Sequence, residues 1–411
     1  MALSVNTLRK IDYFAGIPLC FLATLLRLLF ALTSGCCKPE QIKNVLFIGL
    51  SESGSNVLAH SALVKLKKET DATLFFATFT NNSSSIEITG AVQSANIFRM
   101  RDTGAVAVIL DAFRLIGWAR LNRIDTVVDL ELFSRFTALL SYFSGACRRV
   151  GFYSFYNEGL YRGNLLTHNV AYNPHLHMAK NFLSLVYAVI SPNLQIPYSK
   201  VLIRDDDVSA AKVQVRNEDV ISIQSKIRSV APEFDGQRHH TVIFNTNASD
   251  LVPLRRWPKE HFTRLAEIIL ASNPAIYILL TGVASEYAWN NSIIEAVHNE
   301  RCVNIAGMTG FSELPALYQM SLYMVSNDSG PAHFASLTDL PTFVLFGPET
   351  PGLYLPLGVC IPIYFGLACS PCVSAANHRK SACSDNKCLQ LITPENVFEI
   401  INSNFITEKS Q

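Results

Sequence analysis

Short apolar runs alternate with amphipathic stretches twice along this 411-residue chain, and that alternation limits the fold more than any other feature. In the first half KNVLFIGL (Lys43–Leu50), ATLFFATF (Ala72–Phe79), IDTVVDLE (Ile124–Glu131) and RRVGFYS (Arg148–Ser154) read as strands. VLAHSALVKLKKE, AVAVILDAFRLIGWARLN, FSRFTALLSYFSG and HMAKNFLSLVYAVI space their apolar residues as helices do. The pattern lapses from Ser191 to His240, a more polar stretch with several prolines. It then restarts with HTVIFNTNAS, AIYILLTG, CVNIAGMT, LYMVSND and PTFVLFG as strands and helices between them. Strands without polar alternation need cover on both faces, so β alternating with α predicts a parallel sheet between helical layers. Two such sheets in series predict an α/β protein of two Rossmann-like βαβ domains facing a cleft. Ligands bind such sheets beyond the carboxyl ends of the strands.

The expected divisions are an N-terminal membrane-associated helix (1–40), a first Rossmann-like domain (41–200), an interdomain crossover (201–240), a second Rossmann-like domain with a Cys-rich tail (241–390) and a closing helix (391–411). Thr393 and Pro394 suit the start of that last helix as N-cap and first helical residue. The N-terminal expectation rests on FAGIPLCFLATLLRLLFALTSG (Phe14–Gly35), which is long enough to span a bilayer but is interrupted by Arg27. A membrane-inserted helix, a helix lying in the interface and a signal peptide all fit its composition, and a buried core helix is the plain alternative. Arg27 and Thr33 weigh against the signal peptide.

Lys+Arg number 34 and Asp+Glu 33, so no basic excess points to nucleic acid. The ten cysteines are mostly scattered, which argues against a disulfide framework and for a reducing compartment. Four lie close together as CSPC and CSDNKC: Cys369, Cys372, Cys383 and Cys388. That spacing suits a structural zinc or iron site, two disulfides or free thiols. A metal there would staple the tail and do no chemistry.

The densest chemistry lies in SNDSGPAHFASLTDLPTFVLFGPETP, Ser326–Pro351. LYMVSND ends a strand, Gly330 permits close approach to backbone, and the next helix begins with unpaired N–H groups that attract phosphate. A serine N-cap beside an ordinary core histidine is the plain alternative.

This stretch resembles the signature of glycosyltransferase family 9, whose best-known members are the lipopolysaccharide heptosyltransferases. FNTNASDLVPLRRWPKEHFTRLAEII, VNIAGMTGFSELPALYQMS and VLFIGLSESGSNVLAHSALVKL resemble the family's phosphate loop, Gly-x-Thr loop and N-terminal glycine loop. The resemblance implies a GT-B fold, an N-terminal acceptor domain, a C-terminal nucleotide-sugar domain and inverting transfer with no required metal. It implies a nucleotide-diphosphate sugar donor, a lipid-linked or surface-glycan acceptor, and a place at the membrane surface on the cytoplasmic side of the inner membrane. The residues fit a donor site. Arg255 and Arg256 supply charge for a diphosphate, and Asn247, Ser249, Thr309 and the Ser329–Gly330 backbone supply donors. Glu286, just after Gly282, suits ribose hydroxyls. Asp328 and His333 suit a sugar hydroxyl or the ordering of the loop.

The chain departs from the family where an Asp usually serves as general base, because Ser55 follows Gly54 here. Serine cannot deprotonate a hydroxyl unaided. Glu52 in the same loop is the first candidate base, with Asp129 and Glu131 as alternatives on a neighbouring strand end. A nucleotide-sugar-binding protein without catalysis is the alternative function, and a Cys/His metal hydrolase is a third.

Overall fold

The computed structural model describes residues 5–31, 41–50, 52–156, 160–192, 195–248 and 252–408. It divides into two compact units, Met1–Ala211 and Lys212–Gln411. Each unit holds one parallel six-stranded sheet. The first contains β1 (Asn44–Ile48), β2 (Thr73–Phe79), β3 (Ile97–Met100), β4 (Thr126–Asp129), β5 (Arg148–Tyr153) and β6 (His168–Ala171), in the order β3-β2-β1-β4-β5-β6. The second contains β7 (His240–Asn245), β8 (Ile276–Leu280), β9 (Cys302–Asn304), β10 (Ser321–Asn327), β11 (Thr342–Leu345) and β12 (Cys360–Ile363), in the order β12-β11-β10-β7-β8-β9.

The central strands are buried on both faces, as their unbroken apolar runs require. Three strands escaped the sequence reading: β3, β6 and β12. Each lies at a sheet edge and carries half-buried or exposed residues, so it lacks the apolar run that marks a covered strand. The Asn217–Val230 helix, inside the stretch read as a crossover, was missed for a similar reason. It buries only Ile223 and Ile227.

In the second unit Trp257 ties sheet, loop and tail together. Its ring is fully buried. Its backbone N–H donates to Asn327 Oδ1 at 2.9 Å and its indole N–H to the Ile392 carbonyl at 2.9 Å. The closing helix, Pro394–Glu408, packs on the Lys259–Ser272 helix, and the Thr393 hydroxyl accepts from the Asn396 N–H.

The expected N-terminal helix is two helices, α1 (Val5–Phe14) and α2 (Gly16–Ala31), both against the first unit. Asp12 accepts from the backbone N–H groups of Arg135 (3.0 Å) and Phe136 (2.9 Å), so it caps the Arg135–Phe143 helix from outside. Cys20 and Ala23 are buried against Ala138 and Leu165. Thr24 Oγ1 accepts from Asn164 N–H, and the Arg27 guanidinium donates to the Asn164 carbonyl. Gly163 permits this approach. It sits at φ +67°, and a Cβ there would fall 2.8 Å from the Cys20 carbonyl oxygen. The 9–29 stretch is long and apolar enough to cross a membrane by length and composition, a weak test that core helices and signal sequences also pass. Cys147 is disulfide-bonded, so the expectation of scattered reduced thiols fails at that position.

Candidate functional site

The second sheet reverses its strand order between β7 and β10, and their carboxyl ends bring together Asn245 and Ser326, far apart in sequence. Ligands settle at such points because the loops diverge there and leave a crevice. Asn245, Thr246, Asn327, Asp328 and Ser329 are all buried at this junction. Ser329 Oγ donates to Asn245 Oδ1 at 3.2 Å and makes no side-chain cap to its own short helix, Gly330–Ala335. The serine therefore stitches β10 to β7. Gly330 opens that helix and His333 is buried one turn on.

Asp328 is the electrostatic centre. Burial raises its pKa, and Arg255, 3.6 Å away, opposes the shift. Asn327 Nδ2 and Arg255 Nε are buried without a hydrogen-bond partner, and Asp328 Oδ2 has only the long Arg255 ion pair. Such atoms each cost roughly 1–3 kcal/mol when left unmet. Two of them beside a buried ion pair make this junction a candidate site for a polar ligand. Glu349, from FGPETP, joins the same cluster. It is 2% exposed and lies 3.8 Å from Arg379 Nε, while Arg379 also donates to the Tyr354 hydroxyl at 2.8 Å. Burial pushes the Glu349 carboxyl up to about 8, with the Asp328 charge adding to the shift and Arg255 opposing it. The sequence reading missed Glu349 and Arg379. The glutamate lay in a quoted motif, but nothing local indicates that it is buried.

This shift has a measurable consequence. A carboxyl whose pKa is higher folded than unfolded stabilises fully only below its unfolded value, and the protein loses that stability as pH rises through the folded value. For Glu349 the window runs from near 4.5 to about 8. Glu349→Gln is expected to match wild type in urea at pH 4.5. At pH 8.5 it should be more stable by up to about 4 kcal/mol. Equal midpoints at both pH values would refute a buried, neutral Glu349.

The remaining expected donor residues spread around this centre. Arg256 donates from Nε and Nη2 to the Ala248 carbonyl (3.0 and 2.8 Å), so it braces the loop that carries Asn247. Asn247 Oδ1 accepts from the Ala248 N–H. Ser249 lies outside the described residues. Glu286 Oε2 accepts from the Val283 N–H at 2.9 Å after β8, and Gly282 leaves room for that carboxylate. Thr309 is half-buried in the turn after β9.

The tail cysteines do not form a closed site. Cys369 and Cys383 are exposed, Cys372 is half-buried and Cys388 is buried. Burial raises the Cys388 thiol pKa, with Cys372 and Cys383 adding to the shift. Yet no group of three His, Cys, Asp or Glu residues among the described ones is arranged to hold a metal ion. The thiols as they stand do not fit the expected tetrahedral zinc or iron.

In the first unit the strand order reverses between β1 and β4. The three candidate bases cluster there with different fates. Asp129, at the end of β4, is fully buried. It pairs with the buried Arg162 guanidinium and accepts from the Thr137 hydroxyl (2.8 Å) and the Glu131 N–H (3.0 Å). An acid enclosed in this way cannot meet an acceptor hydroxyl, so its expected part as a base is corrected to a structural one. Glu131 Oε1 accepts from the Leu50 N–H at 2.6 Å and so holds β1 to β4. Glu52 opens the Ser53–Leu58 helix, and the Ser55 hydroxyl donates to Glu52 Oε2 at 3.1 Å.

Comparison with known proteins bears on the family and the fold. The family model described as glycosyltransferase family 9 (heptosyltransferase) matches residues 112–382. The chain is 33% identical over 108 residues to lipopolysaccharide heptosyltransferase 2 of Salmonella typhimurium, covering 26% of this chain and 30% of that protein. It is 34% identical over 108 residues to lipooligosaccharide heptosyltransferase 2 of Haemophilus influenzae, covering 26% and 31%. These matches therefore span about a third of either relative. E. coli ADP-heptose lps heptosyltransferase II has the same fold, with a TM-score of 0.69 and 21% identity over 89% of this chain and 99% of that one. The iron-containing dodecameric glycosyltransferase TibC from enterotoxigenic E. coli is more distant, with a TM-score of 0.54 and 11% identity over 90% and 78%. The two six-stranded parallel sheets are thus GT-B-like, and the family match covers more than half of the sequence. The chain belongs to glycosyltransferase family 9.

Proposed function

We propose that the protein transfers a heptose or similar sugar, with inversion, from a nucleotide-diphosphate donor to a lipopolysaccharide, lipid-linked or surface-glycan acceptor. The observation that carries this reading is the buried Arg255–Asp328 pair at the β7/β10 junction, flanked by the unmet Asn327 Nδ2 and Arg255 Nε. Arg255 would neutralise charge on the diphosphate, and Asn327 and Asp328 would meet sugar or ribose hydroxyls. In the reaction the acceptor oxygen bonds to the anomeric carbon as the bond to the nucleotide's phosphate oxygen breaks. The acceptor proton goes to Glu52, and the diphosphate leaves with its charge held by donors. No step in this scheme needs a metal.

The acceptor domain is the first unit and the donor domain the second. We place the enzyme at the cytoplasmic side of the inner membrane, where the heptosyltransferase relatives' lipopolysaccharide substrate would be within reach. The Cys147 disulfide is the one observation against that compartment.

The test is release of nucleoside diphosphate from ADP-heptose, with and without a lipid-linked acceptor. Release that requires the acceptor supports transfer, and donor binding without release supports a binding protein instead. Arg255→Ala is expected to weaken nucleoside diphosphate binding on the order of 10–100-fold in calorimetry. Unchanged affinity would remove Arg255 from the donor site.

A further inference from the structure

We propose that the Ala105–Leu121 helix and the α1–α2 pair together form one membrane-docking surface, which lies in the interface of an anionic bilayer and does not span it. This rests on the membrane reading above and adds a second element that no N-terminal signal would suggest. The Ala105–Leu121 helix is apolar nearly all round. Leu115 and Ala119 enter the cluster that covers the first sheet. Val106, Ile109, Leu110 and Phe113, spaced along the opposite side at helical intervals, are all more than half exposed. A helix apolar on every side normally has a second covering layer, and the described protein supplies none here. The same cluster contains Leu140 of the Arg135–Phe143 helix, so both helices pack on one face of the sheet. α1 and α2 lie against that second helix, with Phe14, Phe21, Leu28 and Leu29 exposed.

Charge identifies the partner. The acids on these three elements are Asp12 and Asp111. Asp12 is spent on capping the Arg135–Phe143 helix, and buried Asp111 is paired with Arg101 and Arg114. Asp111 answers only one of its two arginines, and Lys10 and Arg120 remain exposed with no acid on these elements beside them. A chain with a formal net charge of +1 thus gathers apolar side chains and unopposed positive charge in one place, the combination that anionic lipid recognises. The polar ties of Asp12, Thr24 and Arg27 to the first unit hold α1 and α2 flat against it, which a spanning helix would have to break.

Flotation of the full-length protein with phosphatidylcholine vesicles, with and without phosphatidylglycerol, tests this. Wild type should bind the anionic vesicles, and alkaline carbonate should release it from them. Ile109→Glu with Phe113→Glu should lower partitioning on the order of 100-fold, because two apolar side chains no longer enter the interface. The first unit's urea midpoint should stay near wild type and so report that the variant is folded. A variant that binds vesicles like wild type overturns the part given to this helix while leaving membrane association intact. Wild type that ignores both vesicles overturns the membrane reading as well. Resistance to carbonate overturns the interfacial placement. A self-associating wild type that the same variant turns monomeric, with vesicle binding unchanged, makes the face a contact between copies and overturns the proposal.

Discussion

Glu52→Gln should lower turnover by roughly 10²–10⁴-fold and leave donor affinity within about twofold of wild type. The amide keeps an oxygen for the Ser55 hydroxyl, so the loop can retain its contact while losing the proton acceptor. Glu131→Gln is the matched control. Its side-chain oxygen can still accept from the Leu50 N–H, so the β1–β4 junction survives and turnover should fall less than about tenfold. Steady-state rates of both variants, with donor binding measured separately, decide the matter. A collapse in Glu131→Gln with a near-normal Glu52→Gln would transfer the base role to Glu131. The pair also gives Ser55 a part that needs no basicity of its own. Ser55 cannot take the proton, but it donates to the carboxylate that we propose as the base.

The second large effect is on stability. Arg162→Ala should destabilise the first unit by about 3–5 kcal/mol, because it leaves the Asp129 carboxylate buried without its countercharge. Arg162 also donates to the Phe152 carbonyl at 2.8 Å, which adds to the loss. Asp129→Asn combined with Arg162→Met should recover most of it, since the amide oxygen can still accept from Thr137 and no unpaired charge remains. Urea denaturation followed by a first-unit probe reads both. A loss under about 1 kcal/mol in the single variant would mean that the pair is not enclosed as described. The double variant also isolates chemistry from folding. If Asp129 is structural, its turnover per folded molecule stays near wild type.

These experiments mark the line between what could be read along the chain and what could not. In sequence Glu52 stands first, in the glycine loop, with Asp129 and Glu131 as alternatives at the end of another strand. Their differences arise from partners far away: Arg162 lies 33 residues beyond Asp129, and Leu50 lies 81 residues before Glu131. In the second unit the Asp-Ser-Gly junction was visible as a motif, and the pairing of β10 with β7 set Ser329 against Asn245. Glu349 and Arg379 were invisible as site residues because burial is a property of what surrounds a side chain.

The sequence by itself determined the class of fold. Apolar periodicity is local, and a two-sided apolar strand followed by a helix has few ways to cover itself other than a parallel sheet. It also placed the glycine loop and the Asp-Ser-Gly junction at strand ends. Edge strands were lost because half-exposed strands carry no such pattern. Tertiary structure alone decided which acid is enclosed by an arginine, which buried polar atoms are left unmet, and which faces of α1, α2 and the Ala105–Leu121 helix stay uncovered. Desolvation and pairing depend on atoms brought together from distant parts of the chain, and those distances are not written in the order of the residues.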